Sequence, residues 1–462
     1  MKKVFFLVPN YPNRIDTFRK GVNLSALCFT NNRRRVPLDV AYPAAVLRQK
    51  GYDVFIEDSN ATKSSIDQVL KQIEAFSPEI LFISSIPITR WQCPPDPKVL
   101  IKIVKEIRKK FDGEIGLIGP HGTALPEHTL HSMPIDFVIR GEPDLVCLEY
   151  VKKGKKTKGV SYLSDGKMVS NENFMPIQDL DSLPMPAYDL LHMDLYSVYL
   201  IVSSRGCPAA CTFCNKTMYG QGFRRRGAKN IYGEMEYLIK KFGKKEFYFQ
   251  DLDFCFDRKK VEELSKFLIR KKLNVKWMCS ARVTSVDGPL LKLMKSAGCH
   301  QINFGLETAS TKLLKTIKKG ITLESVEKTI ELCEKIGIYN NYNALFGFPG
   351  ENKLTMLDNV NFIAKFSEYK YASLSAGFRL INFPGSPLFE QAVKEKGGVD
   401  DPWAFSIESG GLIGNDFKTE GEYIKYYKKM KRLIMLKKVQ NKYGKLFFFN
   451  PKFFKLVLFK KW

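Results

Sequence analysis

At 462 residues, with 44% apolar and 26% charged side chains, the chain is long enough for two or three separately cored domains and is ordinary in composition for a soluble globular protein. It holds no run of about 18 uncharged apolar residues, so no transmembrane helix is expected, and ten cysteines without a recognisable export signal argue for a reducing cytoplasm over a disulfide framework. The net charge of +25 invites a nucleic-acid partner, but residues 421–462 carry thirteen Lys or Arg against one acid, Glu422, while the rest is only mildly basic, and a general richness in Lys, Phe, Asn and Ile accounts for the charge as well; no nucleic-acid partner is expected.

A strand over 2–9 opens the chain and a polar, Arg-rich loop follows to Val36. A helix over 38–51, stopped by glycine, leads to a strand over 53–58; the pattern repeats with a helix over 64–76, a strand over 78–86, a helix over 98–111, and strands over 114–118 and 135–140. This alternation predicts parallel βαβ units and a doubly wound, Rossmann-like α/β sheet across 1–150. Ligands of such sheets sit beyond the carboxyl ends of the strands, here Ser84-Ser85, Gly119-Pro120-His121-Gly122-Thr123-Ala124 and Arg140-Gly141-Glu142-Pro143. Small residues there either admit a large, flat or phosphate-bearing ligand or simply make tight turns. No G-x-G-x-x-G fingerprint follows the first strand.

Periodicity fades over 151–195, which reads as a connector holding a hairpin over 159–169 around Ser164-Asp165-Gly166-Lys167 and a Pro- and Asp-rich stretch over 176–186. A second βα series fills 196–390. Strands are expected over 199–203, 246–250, 275–279, 301–305, 339–346 and 372–380, with helices over 230–242, 258–271, 288–297, 323–336 and 353–366. Six repeats are too few for a closed eight-stranded barrel, so an open, partial (β/α)6 barrel is predicted, its chemistry at the C-terminal strand ends. Those ends carry the cysteine loop, Gln250-Asp251-Leu252-Asp253, Ser280-Ala281-Arg282, Gly305-Leu306-Glu307-Thr308, Gly347-Phe348-Pro349-Gly350-Glu351 and Asn382-Phe383-Pro384-Gly385-Ser386. Solvated loops are also polar by default.

Cys207, Cys211 and Cys214 place three thiols within eight residues, where a compact loop can hold three corners of a cubane iron–sulfur cluster and leave one iron open. A structural zinc site would want a fourth Cys or His nearby, and none comes before Cys255. Unrelated buried thiols are the plain alternative. Cys299 and Cys333 read as small core residues, while Cys255 and Cys279 lie near strand ends that face the substrate side. In the extension over 391–462, a basic helix over 423–445 and a Lys-, Phe-, Leu- and Trp-rich stretch over 445–462 fit a membrane surface or packing against the barrel; weak peripheral association with the inner membrane face is the expectation.

The pattern Cys207-x-x-x-Cys211-x-Phe213-Cys214, with the glycines and carboxylates of the strand ends, resembles the radical S-adenosylmethionine superfamily. With Gly119-Pro120-His121 and Arg140-Gly141-Glu142 ahead of it, the chain is similar to the branch that carries an N-terminal cobalamin-binding domain, over the stretch from Met1 to Phe389. The resemblance implies that the three cysteines hold a 4Fe-4S cluster whose fourth iron is chelated by S-adenosylmethionine, and that reductive cleavage yields a 5'-deoxyadenosyl radical. It implies cobalamin as a methyl carrier and a reductant such as flavodoxin or ferredoxin. By position, Phe213 falls near adenine, Asp251 and Asp253 near the methionine amino group, Arg282 at the carboxylate, Glu307 at the ribose, and Phe346 and Phe348 beside adenine. Ser84, Ser85, Gly119, His121, Thr123, Gly141 and Glu142 form the implied cobalamin face; the D-x-H-x-x-G pattern that supplies a cobalt-ligating His elsewhere is missing after the first strand.

The implied activity is C-methylation of an unactivated carbon in a small-molecule or lipid-like substrate. Cyclisation, rearrangement or methylthiolation are the enzymatic alternatives, the last disfavoured because Cys28, Cys93 and Cys147 are far apart. A cobalamin or iron–sulfur sensor is the alternative of another class, and the converging strand ends speak against it.

Overall fold

The computed structural model describes residues 2–10, 35–85, 97–220, 222–402, 405 and 419–443. The expected Arg-rich loop, the end of the predicted third strand at Ile86 and the aromatic stretch over 445–462 lie wholly or largely outside them.

Strands β1 (Lys3–Val8), β2 (Asp53–Asp58), β3 (Ile80–Ser84), β4 (Glu114–Ile118) and β5 (Phe137–Ile139) are short apolar runs, the composition expected of parallel strands covered by helices on both faces. They are parallel throughout and lie in the order β2-β1-β3-β4-β5, which puts the switch point between β1 and β3. The hairpin read as part of the connector, β6 (Val160–Ser164) and β7 (Lys167–Ser170), instead joins this sheet antiparallel to β5. Its two-residue turn, Asp165 and Gly166, has positive φ at both positions (50° and 73°), as a tight hairpin requires. The true connector therefore begins after Ser170.

The connector is not a loose tether. Two single 3-10 turns set Tyr188, Met193 and Tyr196 into the core, all but fully buried, and Tyr196 OH donates to Asp58 Oδ2 at 2.7 Å. The chain then forms β8 (Tyr199–Ile201), the two-residue strands β9 (Ser204–Arg205) and β10 (Arg224–Arg225), and the strands β11 (Glu246–Phe249), β12 (Lys276–Ala281), β13 (Cys299–Glu307), β14 (Tyr339–Phe346) and β15 (Ala372–Arg379). The six-stranded parallel sheet β15-β14-β13-β12-β11-β8 is the open barrel predicted. One face of each strand packs under the helices: Trp277, Ile302, Phe304, Tyr342 and Phe346 share a single apolar cluster with Phe6, Phe82 and Tyr150 of the first sheet.

The basic helix predicted near the C-terminus, Glu420–Tyr443, is part of this body. Tyr423, Tyr427, Met430 and Ile434, spaced on one helical face, are buried in the same cluster, and Lys437 donates to Asn361 Oδ1 (2.6 Å) of the helix Lys353–Lys365. Its apolar stripe is thus committed to the barrel, not to a membrane. Among the described residues no helix is long and apolar enough to cross a membrane.

Candidate active site

β8 delivers the chain to the cysteine loop through β9, and β10, beyond the loop, returns to pair antiparallel with it, Arg205 with Arg224 and Ser204 with Arg225. This clip requires glycine at 206, where φ is +81° and a Cβ would lie 1.8 Å from Gly222 O. The loop is then tied across the barrel mouth. Thr212 N–H donates to Ile317 O (3.0 Å), Leu388 N–H to Thr212 O (2.9 Å), and Asn215 Nδ2 to Pro384 O (2.6 Å). Asp251, at the end of β11, accepts from the N–H groups of Ser203 and Ser204 (2.9 and 2.8 Å) and from Ser203 Oγ. Both its oxygens hold the entry to the loop, so it is not presented to a ligand as expected; burial raises its carboxyl above the ordinary range.

Cys207 and Cys211 are buried and Cys214 half-buried. Burial pushes the Cys214 thiol up to about 12, and the neighbouring sulfurs of Cys211 and Cys207 add to the rise, so the three share one small space. Among the described residues no three His, Cys, Asp or Glu side chains converge as ligands of a single ion. A cubane asks instead for one thiolate at each of three separate corners. Three cations surround the loop: Lys216 Nζ donates to Ala209 O, Arg282 Nη1 donates to Cys211 Sγ (3.4 Å), and Lys319 Nζ lies 5.9 Å from the centre of the Phe213 ring. They offset the negative charge that three thiolates bring together.

The rim beside the loop is built from β12, β13 and β14. Asp253, buried, accepts from Arg282 N–H (3.3 Å) and Ser285 Oγ (2.8 Å), with burial raising its carboxyl. Arg282 also donates to Lys319 O, so the fork expected at a carboxylate ligand is divided between a thiol and a backbone carbonyl. Glu307 sits at a bulge between β13 and β14 with φ +65°, an uncommon conformation for a residue with a side chain, and pairs with the buried Lys319 at 2.7 Å. Gly305 makes room for that pair: a Cβ there would lie 2.2 Å from Glu307 Oε1 and 2.5 Å from Lys319 Nζ. Phe213 and Phe348 meet edge to face at 5.5 Å. Phe346, expected beside them, packs instead on Tyr427 of the C-terminal helix (5.5 Å), because alternation along β14 turns it to the helix side. An open cavity of about 720 Å³ borders the loop, lined by Cys207, Asp253, Cys255, Phe256, Arg282 and Ser285 among others. Cys255 borders this cavity but is itself buried in the same apolar cluster as Cys279, Cys299 and Cys333.

The ligand edge of the first sheet meets this loop. Thr123 Oγ1 donates to Gly119 O (2.8 Å), accepts from Gly141 N–H (3.1 Å) and touches Met218 Sδ (3.3 Å), four residues beyond the last cysteine of the triad. Gly119 and Gly141 have φ of 103° and 78°, so both strand ends depend on glycine. His121 is fully buried, its N–H donating to Ser85 Oγ (3.4 Å), and Ser84 Oγ donates to Asp39, whose carboxyl is raised by burial to about 7. Glu142, expected on the cobalamin face, is drawn into a buried ion network: Arg205 bonds Glu142 (2.9 Å) and Asp144 (both 2.8 Å), and Arg224 bonds Glu142 (2.6 Å). The strands that clip the cysteine loop are therefore clasped by the first domain. Sequence reasoning missed Arg205, Arg224, Asp144 and Lys319; Asp144 two residues after Glu142, and Lys319 before the left-handed Gly320, were the available signals.

A thiol triad over an open βα barrel, held against the ligand edge of a doubly wound sheet, defines an iron–sulfur enzyme with a second cofactor domain. Residues 201–363 match the radical SAM superfamily and residues 34–150 the B12 binding domain. An uncharacterized methyltransferase of Pyrococcus horikoshii is 33% identical over 371 residues, covering 77% of this chain and 78% of the relative. The anaerobic magnesium-protoporphyrin IX monomethyl ester cyclase of Rubrivivax gelatinosus is 29% identical over 342 residues, 69% of this chain and 60% of the cyclase. The solved structure of the methyltransferase TsrM of Kitasatospora setae, with cobalamin and a 4Fe-4S cluster bound, shares the fold at a TM-score of 0.70 and 17% identity, over 94% of this chain and 85% of that one. The chain belongs to the radical S-adenosylmethionine superfamily, in the branch with a B12-binding domain. Its cofactors are a 4Fe-4S cluster, S-adenosylmethionine and cobalamin.

Proposed function

We propose that the chain is a cobalamin-dependent radical methyltransferase that alkylates an unactivated carbon of a small molecule. The observation that carries this reading is the contact of the two ligand edges, Thr123 and Gly141 of the first sheet against Met218 beyond the cysteines, locked by the Arg205–Glu142–Asp144 network. Methyl transfer needs the methyl carrier and the radical source to face one substrate position. A rigid, buried clasp supplies that alignment.

When bound, the cluster supplies one electron to the sulfonium of adenosylmethionine and the cobalamin supplies the methyl group. The chain's own residues do the rest. Cys207, Cys211 and Cys214 are assigned as the three cluster ligands, with Arg282 donating to Cys211 to tune the thiolate. Glu307, held by Lys319, is assigned to the ribose hydroxyls, Phe213 and Phe348 to adenine, and Asp253 to the amino group. Ser85, Gly119, Thr123 and Gly141 are assigned to the cobalamin edge. The electron donor is a small carrier of the flavodoxin or ferredoxin class. The apolar face of the helix Glu420–Tyr443, offered for a membrane contact, is spent on the barrel through Tyr423, Tyr427, Met430 and Ile434.

The test is anaerobic reconstitution with methyl-labelled adenosylmethionine. The expected products are 5'-deoxyadenosine, S-adenosylhomocysteine and a labelled small molecule. Formation of 5'-deoxyadenosine without bound cobalamin would reject the methyltransferase and favour a cyclase-like reaction; no reductive cleavage would reject both. Replacing any one of the three cysteines with Ala should reduce bound iron from about four per chain to near zero.

A further inference from the structure

The barrel's inner face carries a pattern that the cluster chemistry does not use. Along β13, Ile302, Phe304 and Leu306 are buried in the core beneath the helices, while Gln301, Asn303, Gly305 and Glu307 take the alternate positions. This second face is that of the cysteine loop, because Glu307 and Lys319 stand over Gly305 and Lys319 reaches Phe213. The neighbouring strands continue it with the same chemistry. Asn341 Nδ2 and Gln301 Nε2 both donate to Asn303 Oδ1 (2.9 and 3.1 Å), Ser375 Oγ donates to Asn343 Oδ1 (2.6 Å), and Tyr248 OH and Ser280 Oγ are 3.0 Å apart.

Central positions of a filled βα barrel are apolar and fully buried. Here they are amides and hydroxyls, and Ser280, Gln301, Asn341, Asn343 and Ser375 each keep part of their surface open to solvent. Asn303 is the exception: it is 8% exposed, its Oδ1 takes two hydrogen bonds, and its buried Nδ2 has no partner. A satisfied amide band would leave no such donor over. Glu307, the carboxylate that β13 places on this face, is already paired with Lys319 at 2.7 Å and is not left to meet a cationic substrate. The nearby cations are engaged: Arg282 by Cys211 and Lys319 O, Lys319 by Glu307, and Arg35, over the Tyr248 ring, by its neighbours.

Resting on the radical-enzyme reading, we propose that this amide and hydroxyl face is the substrate floor, and that it takes a neutral polar group bearing a carbonyl or hydroxyl acceptor, an amide or a polyol, with Asn303 Nδ2 as the recognising donor. Alkyl chains are excluded because covering the band with hydrocarbon strips its amides of water without replacing their hydrogen bonds.

The test is ligand-observed NMR on the reconstituted full chain, with a fragment set divided into neutral amides and polyols, alkyl alcohols, and carboxylates. Binders are expected from the first group. Asn303→Leu should weaken them about tenfold, and Asn303→Asp, which keeps the shape but exchanges a donor for an acceptor, should do the same with the fold and the visible absorption of the cluster retained. Binders drawn from the alkyl or carboxylate groups, an absence of polar binders, insensitivity to Asn303→Asp, or a fragment-soaked crystal with only water at Asn303 would each overturn the proposal. Cleavage of adenosylmethionine to 5'-deoxyadenosine is followed in the same samples. Its absence in the wild type rejects the enzymatic reading, whereas cleavage without polar binders rejects the substrate floor alone.

Discussion

At the scale of single residues, the most consequential groups are those whose partners are buried. Arg205 holds Glu142 and Asp144 with all three side chains almost fully enclosed. Removing one partner of such a set strands the other charges without water. Arg205→Met should therefore cost about 3–5 kcal/mol, read as a lowered denaturation midpoint, and should loosen the cysteine loop that the arginine borders. Gly305 offers a more selective change. Adding one methyl group there pushes on Glu307 and Lys319 but on none of the three cysteines. Gly305→Ala should keep bound iron at the wild-type level while slowing adenosylmethionine cleavage about 100-fold, the scale of a small misplacement at a reacting centre.

At the scale of elements, the loop after β14 depends on the C-terminal helix. Glu351 accepts from Gly347 N–H (2.7 Å) and Tyr423 OH (3.3 Å) in a site where burial raises its carboxyl to about 8. Its folded-state pKa is thus above that of the unfolded chain, near 4.3, and between those values the folded state binds more protons. Stability must fall as pH rises through that window, and the cost is complete above about 8. Asp39, raised to about 7, and Asp58, raised to about 6, act in the same direction. Urea titrations from pH 5 to pH 9, a window set by these pKa values, should show wild-type stability declining, with a shallower decline in Glu351→Gln. An unchanged slope would mean that the carboxyl is already ionised at pH 5.

At the scale of the whole molecule, the chain behaves as one body with a core running through both sheets and the connector. The C-terminal helix belongs to that body. Ending the chain before residue 420 would uncover the surface beneath Tyr423, Tyr427, Met430 and Ile434, each worth about 1.5–3 kcal/mol of burial. Such a truncation should lower the unfolding temperature and the soluble yield. Any binding of the full-length chain to anionic vesicles should be electrostatic alone, weakened by the Lys425→Glu, Lys429→Glu double change and abolished at high salt, since the apolar stripe of this helix is already spent on the barrel.

The cysteine spacing, the alternation of strands and helices, and the glycines at strand ends were legible because each is local: thiols a few residues apart share a loop, and period-two and period-3.6 patterns report burial directly. The 159–169 hairpin was legible as a turn, yet its membership in the first sheet was not, since pairing with β5 depends on which strand edge is free. The roles of Asp251, Glu142 and Phe346 escaped for a similar reason. A carboxylate at a strand end looks alike whether it faces a ligand, the entering chain or an arginine from another domain. The sequence by itself determined the two-domain α/β plan and the triad at 207–214. Only the tertiary structure decided that Arg205 and Arg224 would lock the domains together, that Lys319 would complete Glu307, and that amides of neighbouring strands would bond one another on one face, because these are contacts between residues far apart in the chain.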